Sequence, residues 1–254
     1  MATYEEELKK LEPLIQRVSS FALLGKKIEV EGEENFIKNG PNIIVGNHIG
    51  SYKDGATLFK VMKRPFFFTA NKMIYSRKEL NFLIRRHLKR HLKRFGLFLD
   101  VLLNPLKSLF VQVVSTNIAK VGTIPVDLYD GKRLAIERCQ EYLKKGRAII
   151  ALQGRGRVKK KESHPYVTSF KRGSSIIAYN LYKNDGISVP VTPLAFFGTH
   201  IPFMIPAKIR INIGYPMYIR DYMREEEEEK MAIEKFRKAL EERVKSLFLE
   251  IIKK

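Results

Sequence analysis

The sequence predicts an α/β fold, in which a central, mostly parallel or mixed β-sheet is flanked by helices. Short apolar runs, typical of buried strands, alternate with longer segments of helical periodicity from about residue 26 to residue 213. Glycine and proline separate many of these segments. The 254 residues include 44% hydrophobic side chains, which is enough to form a sizeable core. An N-terminal helix and an inserted amphipathic helical segment complete the prediction.

An amphipathic helix opens the chain. Between residues 4 and 24, apolar side chains recur every three or four positions on one helical face: Leu8, Leu11, Ile15, Val18 and Phe21. The alternating elements follow in order: strands at 27–31 and 42–46, a helix from about residue 51, strands from residue 66 and at 122–126, a helix at 131–145, a strand at 148–152, a helix at about 174–183, and strands at 188–197 and 209–213. Helical periodicity over 225–252 predicts the last element, and its first glutamates suit a helix N-terminus.

A basic and apolar insertion at about residues 80–118 interrupts this alternation. No acidic residue occurs between Glu79 and Asp100. A cationic helical face for lipid headgroups, followed by bulky side chains for the acyl boundary, is typical of an interfacial anchor. We therefore expect the following residues to bind a membrane: Arg85, Arg86, Lys89, Arg90, Lys93, Arg94, Phe95, Leu97 and Phe98.

The domain organisation predicted from these elements has three parts. Residues 1–25 form the N-terminal helix, residues 26–224 an α/β domain with the insertion, and residues 225–254 a helix packed on that domain. The single cysteine, Cys139, excludes an internal disulfide or a Cys-rich zinc site and fits a reducing compartment. No uninterrupted apolar run reaches the roughly 18 residues of a spanning helix, and the start lacks the features of a secretory signal.

The charge balance favours an anionic partner. The chain has 47 basic and 27 acidic side chains and a formal net charge of +20. Such a surplus suits nucleic acid, an acidic bilayer or a phosphate-bearing small molecule. A nucleic-acid site would interleave the cations with stacking aromatics, whereas residues 85–94 place them among leucines before a long aliphatic stretch. We expect an anionic membrane surface and no nucleic acid.

The segment PNIIVGNHIGSYKDG contains the clearest candidate for chemistry. A buried strand ends in a loop with His48, and Asp54 follows near the start of a helix. A carboxylate bonded to one ring nitrogen fixes the imidazole tautomer and leaves the other nitrogen to take a proton from a hydroxyl. Two other interpretations stay open: His48 as a polar loop residue, and Asp54 as a helix cap within the Ser51-x-x-Asp54 pattern. The other loop histidines, His164 and His200, have no evident partner.

Several motifs in order resemble those of the glycerolipid acyltransferases, specifically the bacterial 1-acylglycerol-3-phosphate acyltransferase family. The family's NHxxxxD motif is similar to the segment with His48 and Asp54. The similarity continues over about residues 26–215, through FFFTANKM, VGTIPVD, EYLKKGRAIIALQGRGR, SFKRGSSIIAY and VPVTPLA. The resemblance implies the family's α/β fold and acyl transfer from a thioester to the hydroxyl of a lysophosphatidic-acid-like acceptor in phospholipid synthesis.

The resemblance also implies roles for particular residues and partners. His48 would be the general base and Asp54 would orient it, with no metal, no cofactor and no acyl-enzyme intermediate. Acyl-CoA or acyl carrier protein would be the co-substrate, and the enzyme would lie peripherally on the cytoplasmic side of the membrane. The implied substrate-binding residues are Lys72, Gly154, Arg155, Gly156, Arg157 and Lys171. Arginine's planar fork suits a phosphate, and a solvated basic loop is the alternative for this segment.

The sequence departs from the family pattern in two places. Five residues rather than four separate His48 from Asp54, and we expect Gly50 to absorb the extra one because glycine adopts conformations closed to other residues. Where the family has Glu-Gly-Thr-Arg, this chain has Gln153 in place of the glutamate. Two alternatives therefore stay open: a catalytically silent lipid-binding relative, and an acyltransferase that acts on another lysophospholipid.

Overall fold

The computed structural model describes residues 4–102, 104–127, 132–154, 164–224 and 228–253. These residues form two compact units. The described parts of residues 10–66 and 136–254 form the larger unit, and those of residues 1–9 and 67–135 form the smaller one.

Seven helices and seven strands alternate along the described residues, as the sequence predicts. The helices are α1 Tyr4–Ala22, α2 Tyr52–Val61, α3 Arg77–Leu102, α4 Asn104–Asn117, α5 Lys132–Lys144, α6 Gly173–Asp185 and α7 Glu229–Ile252. The strands are β1 Lys26–Glu31, β2 Asn42–Asn47, β3 Phe66–Asn71, β4 Thr123–Val126, β5 Ala148–Gln153, β6 Val191–Phe197 and β7 Ala207–Ile213. The α/β fold with a mostly parallel sheet flanked by helices is thereby confirmed.

Five strands of the larger unit pair in the order β1, β7, β6, β2 and β5. All of these pairs are parallel except β6 with β7, which run antiparallel. Every residue of β2 is buried, as expected for a central parallel strand with both faces covered. The register opposes Asn47 to Gln153, so the segments that follow β2 and β5 leave the sheet side by side.

Helix α7 covers this sheet with one apolar face and contacts β2, β6 and β7. The residues that recur at helical spacing are all buried: Ile233, Phe236, Leu240, Val244, Leu247 and Ile251. Cys139 on α5 is buried too, and this burial raises the pKa of its thiol to about 12. The thiol is therefore a small core side chain rather than a nucleophile.

The smaller unit contains the parallel pair β3 and β4 and the contacting helices α3 and α4. These two helices form the insertion predicted at residues 80–118. Arg85, Arg86 and Lys89 are exposed. The side chains of Arg90, Lys93, Arg94, Phe95, Leu97 and Phe98 lie outside the described residues. Among the helices that the structure describes, none combines the length and apolarity that crossing a bilayer requires.

Candidate active site

Asn47 fixes the C-terminal end of β2, where the site lies. Its buried amide nitrogen donates to the carbonyl oxygens of Phe196, at 3.0 Å, and Tyr166, at 3.2 Å. Its amide oxygen accepts from the Phe196 N–H at 2.7 Å. Asn47 therefore joins β2 to β6 and to the segment containing Tyr166, and it sets the direction in which the chain leaves toward His48.

His48 and Asp54 form a hydrogen-bonded pair immediately beyond β2. His48 Nδ1 lies 2.7 Å from Asp54 Oδ2. The Asp54 carboxylate is 0% exposed, whereas the His48 side chain is 34% exposed. The Gly50 N–H also donates to Asp54 Oδ2, at 2.9 Å. The hydrogen bond between His48 and Asp54 fixes the tautomer with the proton on Nδ1 and leaves Nε2 as an acceptor. The structure thus brings together the two residues whose catalytic roles the sequence predicts.

The turn between these residues accommodates the additional residue through Ser51. Ser51 has φ 56° and ψ −122°, and the Lys53 N–H donates to the Gly50 carbonyl at 3.1 Å. These are features of a type II′ turn with Ser51 as its first central residue. Gly50 does not adopt a positive φ. The expectation that Gly50 absorbs the insertion by its backbone freedom is therefore wrong.

Gly50 is instead required for lack of space. A Cβ at this position would lie 2.3 Å from the Cβ of Thr199 and 2.6 Å from Asp54 Oδ1. The Ser51 side chain makes no capping hydrogen bond to α2, and Asp54 uses Oδ2 for His48 and Gly50. A capping box does not describe Asp54 in this structure.

Thr199 completes the buried side of the pair and was not predicted from the sequence. Thr199 and Asp54 are both fully buried, and the Thr199 hydroxyl and Asp54 Oδ1 have no hydrogen-bond partner among the described residues. Both oxygens lie within 2.6 Å of the point that a Cβ on Gly50 would occupy. The signal available in the sequence was position alone: Thr199 follows β6, a strand parallel to β2.

His200 has neighbours that the sequence did not reveal. Its ring lies 5.3 Å from that of Tyr166 and 5.4 Å from that of Phe197, between centroids. Burial and then the charge of Lys53 lower the pKa of His200, while Asp54 opposes them. His164 has partners as well, because its Nδ1 accepts from the N–H groups of Tyr166, at 3.2 Å, and Val167, at 2.9 Å.

The segment that follows β5 passes beside His48. Gly154 has φ 131°, and a Cβ on it would lie 3.1 Å from the His48 carbonyl oxygen. Among the described residues, the buried Gln153 bonds to backbone: Nε2 donates to the Ala151 carbonyl at 3.2 Å, and Oε1 accepts from the Lys171 N–H at 3.0 Å. The Lys171 side chain is exposed. Arg155, Gly156 and Arg157 lie outside the described residues.

Lys72 belongs to the smaller unit. Its ammonium group lies 3.6 Å from Asp127 Oδ2, and its side chain is largely exposed. Its proposed contact with substrate stays a prediction. In the part of the chain that the structure describes, no group of three or more His, Cys, Asp or Glu side chains is placed to hold a metal ion.

Of the comparisons with known proteins, the one with solved structures finds a similar fold. The structure is similar to the crystal structure of the 1-acyl-sn-glycerophosphate acyltransferase PlsC from Thermotoga maritima, with a TM-score of 0.58 and 22% sequence identity. The similarity covers 100% of this chain and 85% of that one. No family model and no curated protein matches the sequence. At this identity the comparison establishes the α/β architecture.

Proposed function

We propose that the chain is an acyltransferase that moves a fatty acyl group from a thioester to the hydroxyl of a lysophosphatidic-acid-like acceptor. The observation that carries this proposal is the 2.7 Å hydrogen bond between His48 and the buried carboxylate of Asp54. Two features support the substrate class. The sequence motifs resemble those of the glycerolipid acyltransferases, and the fold is similar to that of an enzyme named for a 1-acyl-sn-glycerophosphate acceptor.

In the first step, His48 Nε2 takes the proton of the acceptor hydroxyl as the acceptor oxygen attacks the thioester carbonyl carbon. Asp54 accepts the hydrogen bond from Nδ1 and stabilises the imidazolium that forms. The Gly50 N–H holds the same carboxylate oxygen, so the base is fixed in orientation before the acceptor arrives. A new C–O bond and a tetrahedral intermediate result.

In the second step, the C–S bond breaks and the acyl carrier leaves as a thiolate. His48 returns its proton to that sulfur, so the products are an ester and a free thiol, and the enzyme is unchanged. The acyl group passes directly between substrates without bonding to the protein. The carrier in this proposal is coenzyme A or acyl carrier protein, and neither step needs a cofactor.

The segment that begins at Gly154 is the proposed phosphate site. Gly154 lies against the His48 backbone, and Arg155 and Arg157 are the next cations in the sequence. Arginine and backbone N–H groups freed by glycine suit a phosphate monoester. Lys171, whose N–H is bonded to Gln153, adds a cation to this proposed site, and a separate substrate contact by Lys72 stays a prediction.

The proposed location is the cytoplasmic face of an anionic membrane, with α3 and α4 as a peripheral contact. Arg85, Arg86 and Lys89 supply exposed positive charge. Large apolar side chains are also exposed near the junction of the two helices, at Val101, Leu102, Leu109 and Phe110. Cations beside exposed apolar residues are the pattern of an interfacial helix.

The test compares acylation of lysophosphatidic acid by wild type, His48→Ala and Asp54→Asn, following both thiol release and lipid product. We expect His48→Ala to lower kcat by about 10²- to 10⁴-fold, the usual contribution of a general base, with little change in KM. Asp185→Asn is the matched control, because Asp185 lies at the exposed end of α6 and, among the described residues, pairs with Lys144 of α5. Undiminished turnover by His48→Ala would overturn the proposed mechanism.

A second candidate is a lipid-binding relative that does not catalyse, and Gln153 favours it. A neutral amide bonded to backbone at both ends stands where the resembled motif has a carboxylate. The same assay separates the candidates. If the wild type binds lysophosphatidic acid but forms no product with coenzyme A or carrier-protein donors, a panel of other lysophospholipids decides between a silent protein and a different acceptor.

A further inference from the structure

The two oxygens of the Asp54 carboxylate have unequal surroundings. Oδ2 accepts from His48 Nδ1, at 2.7 Å, and from the Gly50 N–H, at 2.9 Å. Oδ1 is equally buried, but it has no hydrogen-bond partner among the described residues. A buried, charged oxygen without a donor is costly, and a carboxylate that orients a base must stay ionised. The site therefore calls for one more donor, on the Oδ1 side of Asp54.

The Thr199 hydroxyl is in position to be that donor. Thr199 is fully buried too, and its Oγ1 likewise has no partner in the part of the chain that the structure describes. Thr199 Oγ1 and Asp54 Oδ1 lie 2.5 and 2.6 Å from one point, the place of the Cβ that Gly50 lacks. The two oxygens are therefore no more than about twice that distance apart. One O–H···O bond, or one water making two such bonds of about 2.7 Å, spans this gap.

The chemistry of the two groups fixes the direction of the bond. An ionised carboxylate can only accept, whereas a threonine hydroxyl carries one O–H that rotates to suit its acceptor. Buried polar groups are nearly always paired in folded proteins, and each group here supplies what the other lacks. A bond from Thr199 to Asp54 thus satisfies two buried atoms at once.

We propose that Thr199 is a positioning residue, whose hydroxyl holds Asp54 Oδ1 while His48 and Gly50 hold Oδ2. A carboxylate held at both oxygens cannot turn about its side-chain bond, so it presents Oδ2 to His48 Nδ1 in a single orientation. This inference deepens the proposed function, on which it rests for its consequence, the orientation of the base. Thr199 acts through Asp54 and needs no contact with the substrate.

The loop that carries Thr199 is joined to the helix that carries Asp54. Gly198 turns the chain out of β6 with φ 88°, and the Ile201 N–H donates to the Gly198 carbonyl at 3.2 Å. Lys53 directly precedes Asp54 on α2, and its buried ammonium group donates to the Ile201 carbonyl. The hydroxyl and the carboxylate are therefore held in place by a second link between their elements, before any substrate binds.

The rest of the loop is anchored on β1. The ammonium group of Lys26, the first residue of β1, donates to the carbonyls of Ile205 and, at 2.8 Å, Pro202. Met204, between them, adopts φ 64°, a left-handed conformation that is unfavourable for its side chain. Such a conformation persists only where the surrounding structure determines it. The loop is thus a fixed support for Thr199.

Two substitutions at one position test the role of the hydroxyl. Thr199→Val removes the hydroxyl with little change of volume, and Thr199→Ser keeps it. In the lysophosphatidic acid assay we expect Thr199→Val to lower kcat by about tenfold or more, the value of one hydrogen bond to a charged group, with little change in KM. Thr199→Ser should keep kcat close to that of the wild type.

Thr192→Val is the matched control. Thr192 is also fully buried, and its hydroxyl donates to Asn42 Oδ1 at 3.1 Å, at the opposite end of β2 from His48. This variant therefore loses a buried hydroxyl without touching the pair. We expect it to be less stable to denaturant and to keep its kcat.

A second readout needs no turnover. The chain has five histidines, so isotope-labelled histidine gives few ring signals in an NMR spectrum, and His48→Ala assigns that of His48. We expect Thr199→Val to move the midpoint of the His48 ring titration to higher pH by about half a pH unit or more, because a carboxylate with one donor fewer attracts the imidazolium more strongly. Thr199→Ser and Thr192→Val should leave it in place. The charged and titratable neighbours of the pair, Lys53 and His200, are the same in all three variants.

An unchanged midpoint in Thr199→Val would overturn the proposal, whatever happens to turnover. Equal losses of kcat in Thr199→Val and Thr199→Ser would also overturn it, because they would assign the role of Thr199 to its methyl group. If the wild type forms no acylated product, the proposed function fails but the ring titration still decides. A midpoint moved by valine and restored by serine supports the bond from Thr199 to Asp54 in that case too.

Discussion

Ser51 carries the backbone strain of the turn that joins His48 to Asp54. Its φ of 56° and ψ of −122° suit glycine, the preferred residue at the first central position of a type II′ turn. A serine that adopts this conformation costs the folded state of the order of 1 kcal/mol or more. The strained turn matters for the proposed mechanism because it places the Gly50 N–H within hydrogen-bond distance of Asp54 Oδ2.

We expect Ser51→Gly to raise the free energy of unfolding by about 1 kcal/mol, since the Ser51 side chain makes no capping hydrogen bond that would be lost. Denaturant titration measures the change. Ser20→Gly is the control, because Ser20 is exposed within α1, where glycine costs about 0.5–1 kcal/mol. The two substitutions should thus have opposite signs. A loss of stability at both positions would show that Ser51 is not strained.

The residue pair was predictable from the sequence, but its surroundings were not. His48 and Asp54 lie six positions apart, and a strand-to-helix loop brings such neighbours together by local geometry. Asn47 and Thr199 act across the sheet on partners that no local pattern identifies. Gly50 was noticed for the wrong reason, because sequence shows backbone freedom but not that a Cβ at this position would lie 2.3 Å from Thr199.

At the scale of elements, Glu241 connects α7 to the segment before α6. This buried carboxylate accepts from the Phe170 N–H at 2.9 Å, from Arg237 at 2.7 Å and from Lys245 at 2.8 Å. Burial opposes its ionisation, but the hydrogen bonds from Lys245, Phe170 and Arg237 together lower the pKa of Glu241. Nearby, the hydrogen bond from Arg237 lowers the pKa of Glu234 to about 2.

These lowered pKa values predict how stability depends on pH. A carboxylate with a lowered folded-state pKa contributes stability above its unfolded pKa, about 4.3, and loses it as pH falls through the folded value. We expect Glu241→Gln to cost about 1–3 kcal/mol at pH 7 and to reduce the loss of stability between pH 5 and pH 2. Thermal unfolding from pH 7 down to pH 2 measures both effects.

Glu242→Gln is the control for that prediction. Glu242 bonds to the same Lys245 at 2.8 Å, but its side chain is largely exposed, and exposed ion pairs contribute roughly 0–1 kcal/mol. If Glu241→Gln behaved like Glu242→Gln, the three hydrogen bonds of Glu241 would not contribute to folding as the structure indicates.

The inserted helices show what charge patterning predicts and what it misses. The run of cations without acids predicted the basic helix, but no sequence pattern predicted that Asp100 and Lys107 would pair. In the structure they form a largely buried ion pair at 2.6 Å, which joins α3 to α4, and Arg85 lies 3.4 Å from the same carboxylate. A pair of opposite charges seven positions apart has no signature that distinguishes it from two exposed residues.

At the scale of the whole molecule, the class of fold was predictable and the pairing of strands was not. Alternating strand-like and helical periods predict an α/β protein whichever strands pair. Strand β1 pairs with β7, about 180 residues later, through a register that depends on backbone hydrogen bonds rather than on any local motif. Contacts divide the described residues into two compact units, and the three-part organisation predicted from the sequence stays a prediction.

The net charge of +20 leads to the last prediction, which concerns the whole chain. We expect affinity for phosphatidylglycerol vesicles to fall by about tenfold or more as ionic strength rises from ~0.1 to ~1 M, because the Debye length shrinks from about 10 to about 3 Å. Binding that survives at high salt measures the apolar contribution of Val101, Leu109 and Phe110. Cosedimentation with phosphatidylglycerol and with phosphatidylcholine vesicles measures both parts, and single-stranded RNA added as competitor provides the control. If RNA displaced the vesicles at every salt concentration, the charge would serve a nucleic acid, and the exposed apolar residues would need another partner.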